Sequence, residues 1–192
     1  MTIRKLLNPK SDIYLESKKL VNSVDISWYR TPVSVEDVQD NEEDTTNNIR
    51  FFSHGVLMRP GCQSTMYPKV NSDYVEGFNN LLWQIFQYNR IEVYCMYRIN
   101  LNLVLPSAGI QRTPSHQDHP FPHKNIIIYL SDADGGETIC EGDKFLGKED
   151  DIIMFEGIHN HRPPLKNRRL VLVATGLFEA FSIESGTGFK ND

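Results

Sequence analysis

The chain has 192 residues, of which 40% are hydrophobic and 23% charged, the balance of an ordinary globular protein long enough to bury one sizeable core. Its net charge of -5 and pI of about 5.7 disfavour nucleic acid as a partner, because sequence-independent binding to a phosphate backbone rests on excess positive charge. No apolar run approaches the roughly 20 residues of a membrane helix, and Asn8-Pro9-Lys10 cuts off the signal-like start Met1–Leu7 before an apolar segment develops, so a cytoplasmic protein is expected.

Residues 1–35 hold two short mixed segments, with a candidate strand at Asp25–Tyr29. The run Glu36–Asp44 and the following Thr45-Thr46-Asn47-Asn48 are acidic, polar and nearly without apolar side chains, which reads as a solvated loop or a lid over 37–48. Asn71-Ser72-Asp73 offers helix-capping residues. Behind it Val75, Phe78, Leu82, Ile85 and Phe86 recur at steps of three and four, predicting an amphipathic helix over about 73–88.

From residue 91 the texture changes. Ile91–Leu105 is rich in β-branched and aromatic residues, with Arg98, Asn100 and Asn102 on one face and Ile99, Leu101 and Leu103 on the other. Further apolar runs cover Asn125–Leu130, Asp151–Phe155 and Leu170–Thr175. Turn formers separate them: Pro106–Gly109, Asp134-Gly135-Gly136, Glu141-Gly142-Asp143 and Arg162-Pro163-Pro164. Short strands without intervening helices predict a β-sandwich or jelly roll. The expected organisation is one domain over 1–192, mixed and helical over 1–90, with a β-core over about 91–180. Loops 31–50, 56–72 and 107–123 are expected at its mouth. Cys62, Cys95 and Cys140 are odd in number and form no CxxC pair, so they read as reduced thiols.

Five of the six histidines fall between 116 and 161, in the groups His116-Gln117-Asp118-His119-Pro120-Phe121-Pro122-His123 and His159-Asn160-His161. On extended backbone the H-x-D pair presents an imidazole and a carboxylate on the same face. A histidine from the second group, His159 or His161, would complete two nitrogens and one carboxylate. That facial triad suits non-haem iron and leaves three adjacent positions for a chelating cosubstrate and dioxygen. Arg168 or Arg169, at the start of the next strand, offers a planar fork for a carboxylate. His54 and His123 read as surface or satisfied core residues, and His119 points away from the metal. Asp132–Glu137 does not fit a calcium loop, because its glycine pair and early glutamate break the pattern.

The order H-x-D, Tyr129-Leu130, Gly135-Gly136-Glu137-Thr138, Phe155-Glu156-Gly157, histidine, arginine resembles the 2-oxoglutarate/Fe(II)-dependent dioxygenase superfamily. The Tyr-Leu and Gly-Gly-Glu-Thr pieces resemble its prolyl-4-hydroxylase-like branch. The wider pattern, with Trp28-Tyr29, Phe52-Ser53-His54 and Arg98–Leu103, is similar to small oxygenases of marine tailed phages. The catalytic match covers roughly residues 95–176. The resemblance implies a double-stranded β-helix, with His116, Asp118 and His161 as metal ligands. Arg169 would pair with the far carboxylate of 2-oxoglutarate, helped by Tyr129, with Asn102 lining the pocket. It implies Fe(II) and 2-oxoglutarate as cofactors, L-ascorbate as an accessory reductant, and decarboxylation to succinate coupled to hydroxylation of a peptide or small-molecule substrate. A peptidyl proline is the leading substrate. The alternatives are oxidative demethylation of nucleic acid, for which Ser115-His116-Gln117-Asp118 speaks and the charge does not, and a cupin-like metal-binding protein without oxygenase activity.

Overall fold

The computed structural model describes residues 3–31, 50–61, 65–107 and 112–180. The acidic run 36–48, Cys62 and part of each expected mouth loop lie outside these residues. In chain order the described elements are β1 (Arg4–Leu6), α1 (Asp12–Val21), β2 (Tyr29–Arg30), β3 (Phe51–Met58), β4 (Lys69–Val70), α2 (Val75–Tyr88), β5 (Ile91–Val104), β6 (Lys124–Tyr129), β7 (Thr138–Cys140), β8 (Asp143–Phe145), β9 (Ile152–Phe155), β10 (His159–His161) and β11 (Arg169–Ala180). The fold is mainly β, with antiparallel pairing throughout.

The larger sheet runs β1-β9-β6-β11-β5-β3-β2, with β4 pairing beside β3, and the smaller runs β10-β7-β8. Alternation along the central strands decides what each face meets. On β6, Ile126 and Ile128 join one apolar cluster while Ile127 and Tyr129 join another. On β11, Leu170, Leu172 and Ala174 join the first, and Val171 and Val173 the second. The first cluster is closed by the helices, through Tyr14, Val21, Phe78, Leu81, Leu82, Ile85 and Phe86. The second is closed by Cys140 of β7 and Phe145 of β8. The period of two therefore makes a three-layer arrangement, helices, large sheet and small sheet, from single strands.

Helix α2 buries Phe78, Leu81, Leu82, Ile85 and Phe86, an apolar stripe at helical spacing. Its capping residue is Tyr74, and Ser72 instead closes the turn ahead of it, accepting from Tyr74 N at 3.3 Å. Helix α1, within a segment the sequence leaves mixed, starts where the Ser11 hydroxyl accepts from Tyr14 N. It has Asp12 in its first turn and Lys18 and Lys19 in its last, signs that suit the helix dipole. The helix is tied to the β-core through Asp150, whose Oδ1 accepts from Tyr14 Oη (2.6 Å) and Lys18 Nζ (2.7 Å) while Lys10 Nζ lies 2.8 Å from Oδ2.

Within the part expected to be mixed and helical, strand β3 supplies eight residues to the large sheet. Phe51-Phe52-Ser53-His54-Gly55 lacks clean alternation, and its register against β5 shifts between Gly55 and Leu57. Neither feature announces a strand. The strand expected at Asp25–Tyr29 forms only as Tyr29–Arg30.

Candidate metal and cosubstrate site

The site lies on the large-sheet face that meets the small sheet. Arg98, Asn100 and Asn102 of β5 share this face with Arg169, Val171, Val173 and Thr175 of β11, because Thr175 pairs with Arg98, Val173 with Asn100 and Val171 with Asn102. The two histidine groups meet here through backbone. His116 N donates to His159 O at 2.9 Å and His159 N to His116 O at 3.0 Å, an isolated antiparallel bridge. Strand β10 then places His159 and His161 on one face, His161 opposite Thr138.

One ring nitrogen from each of His116, His159 and His161 falls within 4.8 Å of the others. The Nδ1 atoms are engaged elsewhere: His116 on Pro114 O (2.9 Å), His159 on Gly157 O (3.2 Å) and His161 on Thr138 Oγ1 (3.1 Å). A proton on Nδ1 donated to a carbonyl leaves Nε2 as a lone pair, the arrangement that orients imidazoles toward a metal. Burial pulls the His159 imidazole down to about 4 and holds His161 well below its ordinary value, with Arg169 adding to the latter. Both rings are thus neutral at physiological pH, as ligation needs.

Asp118, 13% exposed, approaches this group at His159 and is not itself among the donors that lie within 4.8 Å of one another. Its Oδ1 receives Arg98 Nη1 at 3.0 Å, and its Oδ2 lies 3.6 Å from His159 Nε2. Burial would raise this carboxyl, but the Arg98 guanidinium, followed by the imidazoles, brings it to about 2. Its backbone carbonyl also accepts from Arg59 Nη1 at 2.8 Å. The carboxylate is therefore split, one oxygen on an arginine and the other toward the imidazoles. Of the two candidate distal histidines, His159 is the one whose Nε2 faces that oxygen. His161 is bonded instead to the Thr138 hydroxyl.

Arg169 is 6% exposed. Its Nη1 donates to Gly136 O at 2.7 Å, its Nε has no partner, and it makes no ion pair among the described residues. Burial works against its charge, with Tyr129 and Glu137 in partial compensation, yet guanidinium stays protonated in proteins. Both residues of the Gly135-Gly136 turn have positive φ, 78° and 82°, and a side chain at Gly136 would stand 3.2 Å from Arg169 Cδ. Glycine there lets the turn's carbonyl approach the guanidinium. Arg168, on the other side of the strand, donates to Asn22 Oδ1 in an exposed contact. Tyr129 is buried, with its Oη 2.9 Å from Thr138 Oγ1, which links it to His161. Burial raises its phenol, against Arg169. Asn102 sits on the site face and bonds Asn100.

The remaining histidines are packing residues. His54 is buried with both ring nitrogens bonded, to Ser27 O and Ser72 Oγ. His119 contacts Thr175 Oγ1 through Nε2 at 2.7 Å and stacks on Phe121. His123 bonds Phe121 O through Nδ1, and its buried Nε2 has no partner. Cys95 and Cys140 are free thiols. Sequence reasoning did not find the Arg98–Asp118 pair or the Thr138 hydroxyl between Tyr129 and His161. The signals were Arg98 on a polar strand face and the Thr of Gly-Gly-Glu-Thr.

No protein-family model and no curated protein matches the sequence. Solved structures do. An oxidoreductase of the 2OG-Fe(II) oxygenase family from Burkholderia pseudomallei aligns at TM-score 0.60 and 14% identity, over 92% of this chain and 85% of that one. A prolyl hydroxylase from Trichoplax adhaerens, in complex with a hypoxia inducible factor oxygen degradation domain peptide fragment, aligns at TM-score 0.53 and 10% identity, over 91% and 82%. Likeness at these identities is likeness of fold, and the fold this chain shares is that of 2-oxoglutarate/Fe(II) oxygenase structures.

Proposed function

We propose that this protein is an Fe(II)- and 2-oxoglutarate-dependent dioxygenase on a double-stranded β-helix, which hydroxylates a C–H bond of a peptide substrate, a peptidyl proline in the leading case. One observation carries the reading. A buried guanidinium without a carboxylate partner, Arg169, stands on the same sheet face as a convergent group of imidazoles and a carboxylate. Burying a cation without an anion is costly, and the chemistry that relieves it here is a ligand carboxylate. A ligand with a second carboxylate and a keto group at its other end offers chelating oxygens to a metal on the same face.

The donor set fits Fe(II). His116, Asp118 and a histidine of β10 supply two imidazoles and a carboxylate, the set non-haem iron takes with positions left open. The family resemblance favours His161 in this set, and the Oδ2 contact favours His159. Iron bound here would supply the oxidative chemistry, coupling decarboxylation of 2-oxoglutarate to substrate hydroxylation. Arg169 and Tyr129 hold the far carboxylate, and Arg98 keeps Asp118 ionised and oriented. The peptide preference rests on the prolyl-hydroxylase-like sequence pieces, in line with a peptide on the Trichoplax neighbour.

The test is succinate release from 2-oxoglutarate with Fe(II), with and without proline-containing peptides. Release stimulated by such a peptide supports the whole reading. Release that no peptide stimulates removes the substrate class, and no release under any condition removes the activity.

A further inference from the structure

The structure carries one imidazole more than a facial triad uses. His116, His159 and His161 each bring a ring nitrogen within 4.8 Å of the others, and Asp118 Oδ2 lies 3.6 Å from His159 Nε2. Donors of one octahedral ion with bonds of roughly 2.1 Å sit about 3 Å apart when adjacent and about 4 Å apart when opposite. The three imidazoles are spaced to share an ion, and the Asp118 carboxylate, near His159 but not within 4.8 Å of all three rings, joins them by moving toward that ion. Four protein donors would leave two positions. A chelating 2-oxo acid fills both and leaves none for dioxygen, so one protein donor must be able to leave.

The surroundings of the rings say which. His116 and His159 are each locked through Nδ1 to a backbone carbonyl two residues before them, Pro114 O and Gly157 O. His116 and His159 are also clamped to each other by the two-bond backbone bridge. His161 has no such lock on its ring. Its Nδ1 meets the Thr138 hydroxyl, a side-chain rotor whose other partner is Tyr129 Oη at 2.9 Å. Through Thr138 the ring is therefore linked to Tyr129, the residue proposed to meet the far carboxylate beside Arg169.

We propose that His161 is a fourth, exchangeable metal donor, bound when the cosubstrate is absent and displaced by it, with His116, Asp118 and His159 as the permanent set. The inference rests on the proposed metal and cosubstrate site. Displacement also returns Thr138 and Tyr129 hydroxyls to the incoming carboxylate, so the same residue would couple metal coordination to occupancy of the Arg169 pocket.

The experiment is pulsed electron paramagnetic resonance of the full chain loaded with one equivalent of Cu(II), counting coordinated imidazoles by their remote nitrogens, before and after 2-oxoglutarate. Three imidazoles that become two are expected. His161→Val and His161→Gln should give two from the start and weaken Mn(II) binding roughly tenfold. Two imidazoles in the unsubstituted protein without cosubstrate, or three that persist with 2-oxoglutarate bound, overturn the inference and leave the site reading standing. Absence of stoichiometric metal binding by calorimetry overturns both.

Discussion

His116 and His159, 43 positions apart in the chain, exchange both backbone hydrogen bonds, at 2.9 and 3.0 Å. That bridge puts the H-x-D segment and the small sheet in register, so the convergence of imidazoles is a property of the folded backbone before any metal arrives. A metal that bonds to both segments then adds a second cross-link between them.

Metal binding should therefore stabilise the fold. Mn(II) at a hundred times its dissociation constant is expected to add about 2.7 kcal/mol, a rise in Tm of roughly 5–10 °C for a chain of this size. Asp118→Ala should abolish the rise. Thermal unfolding by circular dichroism with and without Mn(II) reads it, and an equal rise in Asp118→Ala would place the ion elsewhere.

Arg169 and Arg168 should behave oppositely. Arg169→Ala is expected to weaken 2-oxoglutarate binding to the Mn(II)-loaded protein by roughly 10- to 150-fold, the value of about 1.5–3 kcal/mol for hydrogen bonds to a charged group. Arg168→Ala, whose guanidinium faces Asn22, should leave binding unchanged. Calorimetric titration of both variants separates them.

Gly147 lies against Tyr129 so closely that a Cβ would fall 2.2 Å from the ring. Gly147→Ala must push the ring away or shift the backbone, at about 1–3 kcal/mol. Because Tyr129 Oη would leave Thr138 Oγ1, cosubstrate affinity should fall together with Tm, while metal affinity should hold. Chemical denaturation and calorimetry on the same variant check the pairing.

Asp150 carries a pH signature. Burial alone would raise its carboxyl, but Lys10, Lys18 and Tyr14 hold it well below the ordinary 3.8. A carboxyl depressed in the folded state contributes stability fully above its unfolded value and loses it as pH falls from there. The stability at neutral pH should drop by roughly 1–2 kcal/mol in Asp150→Asn, and the steepest part of the acid slope, below pH 3.8, should flatten. Asparagine suits the backbone at this position, where φ is 73°. Denaturant midpoints across pH 2 to 7 make the comparison.

The sequence reveals the parts of the fold that repeat. The apolar stripe Phe78, Leu82, Ile85 and Phe86 announces α2, and the alternation through Ile99, Leu101 and Leu103 announces β5 and its buried face. Strand β3 escapes notice because Ser53, His54 and Gly55 interrupt its alternation, and Ser53 and His54 find partners only in the folded chain, in Thr31, Ser27 and Ser72. Helix α1 escapes because its buried stripe is only Tyr14, Ser17 and Val21. At the site, residue types and order single out the candidate donors. Whether His159 or His161 faces Asp118 depends on where the bridge to His116 falls, and backbone pairing between distant segments leaves no local trace. Arg98 of β5 meets Asp118 twenty positions on, in the segment before β6, a relationship of the folded chain and not of spacing.

The most direct test is nuclear relaxation of 2-oxoglutarate labelled with carbon-13 at C1 or C5, in the presence of Mn(II)-loaded protein. The account predicts strong paramagnetic relaxation at C1 and clearly weaker relaxation at C5, with both effects lost in Arg169→Ala at the same ligand concentration. Equal relaxation of the two carbons, or none at either while 2-oxoglutarate remains bound, would mean that metal and dicarboxylate do not share this pocket.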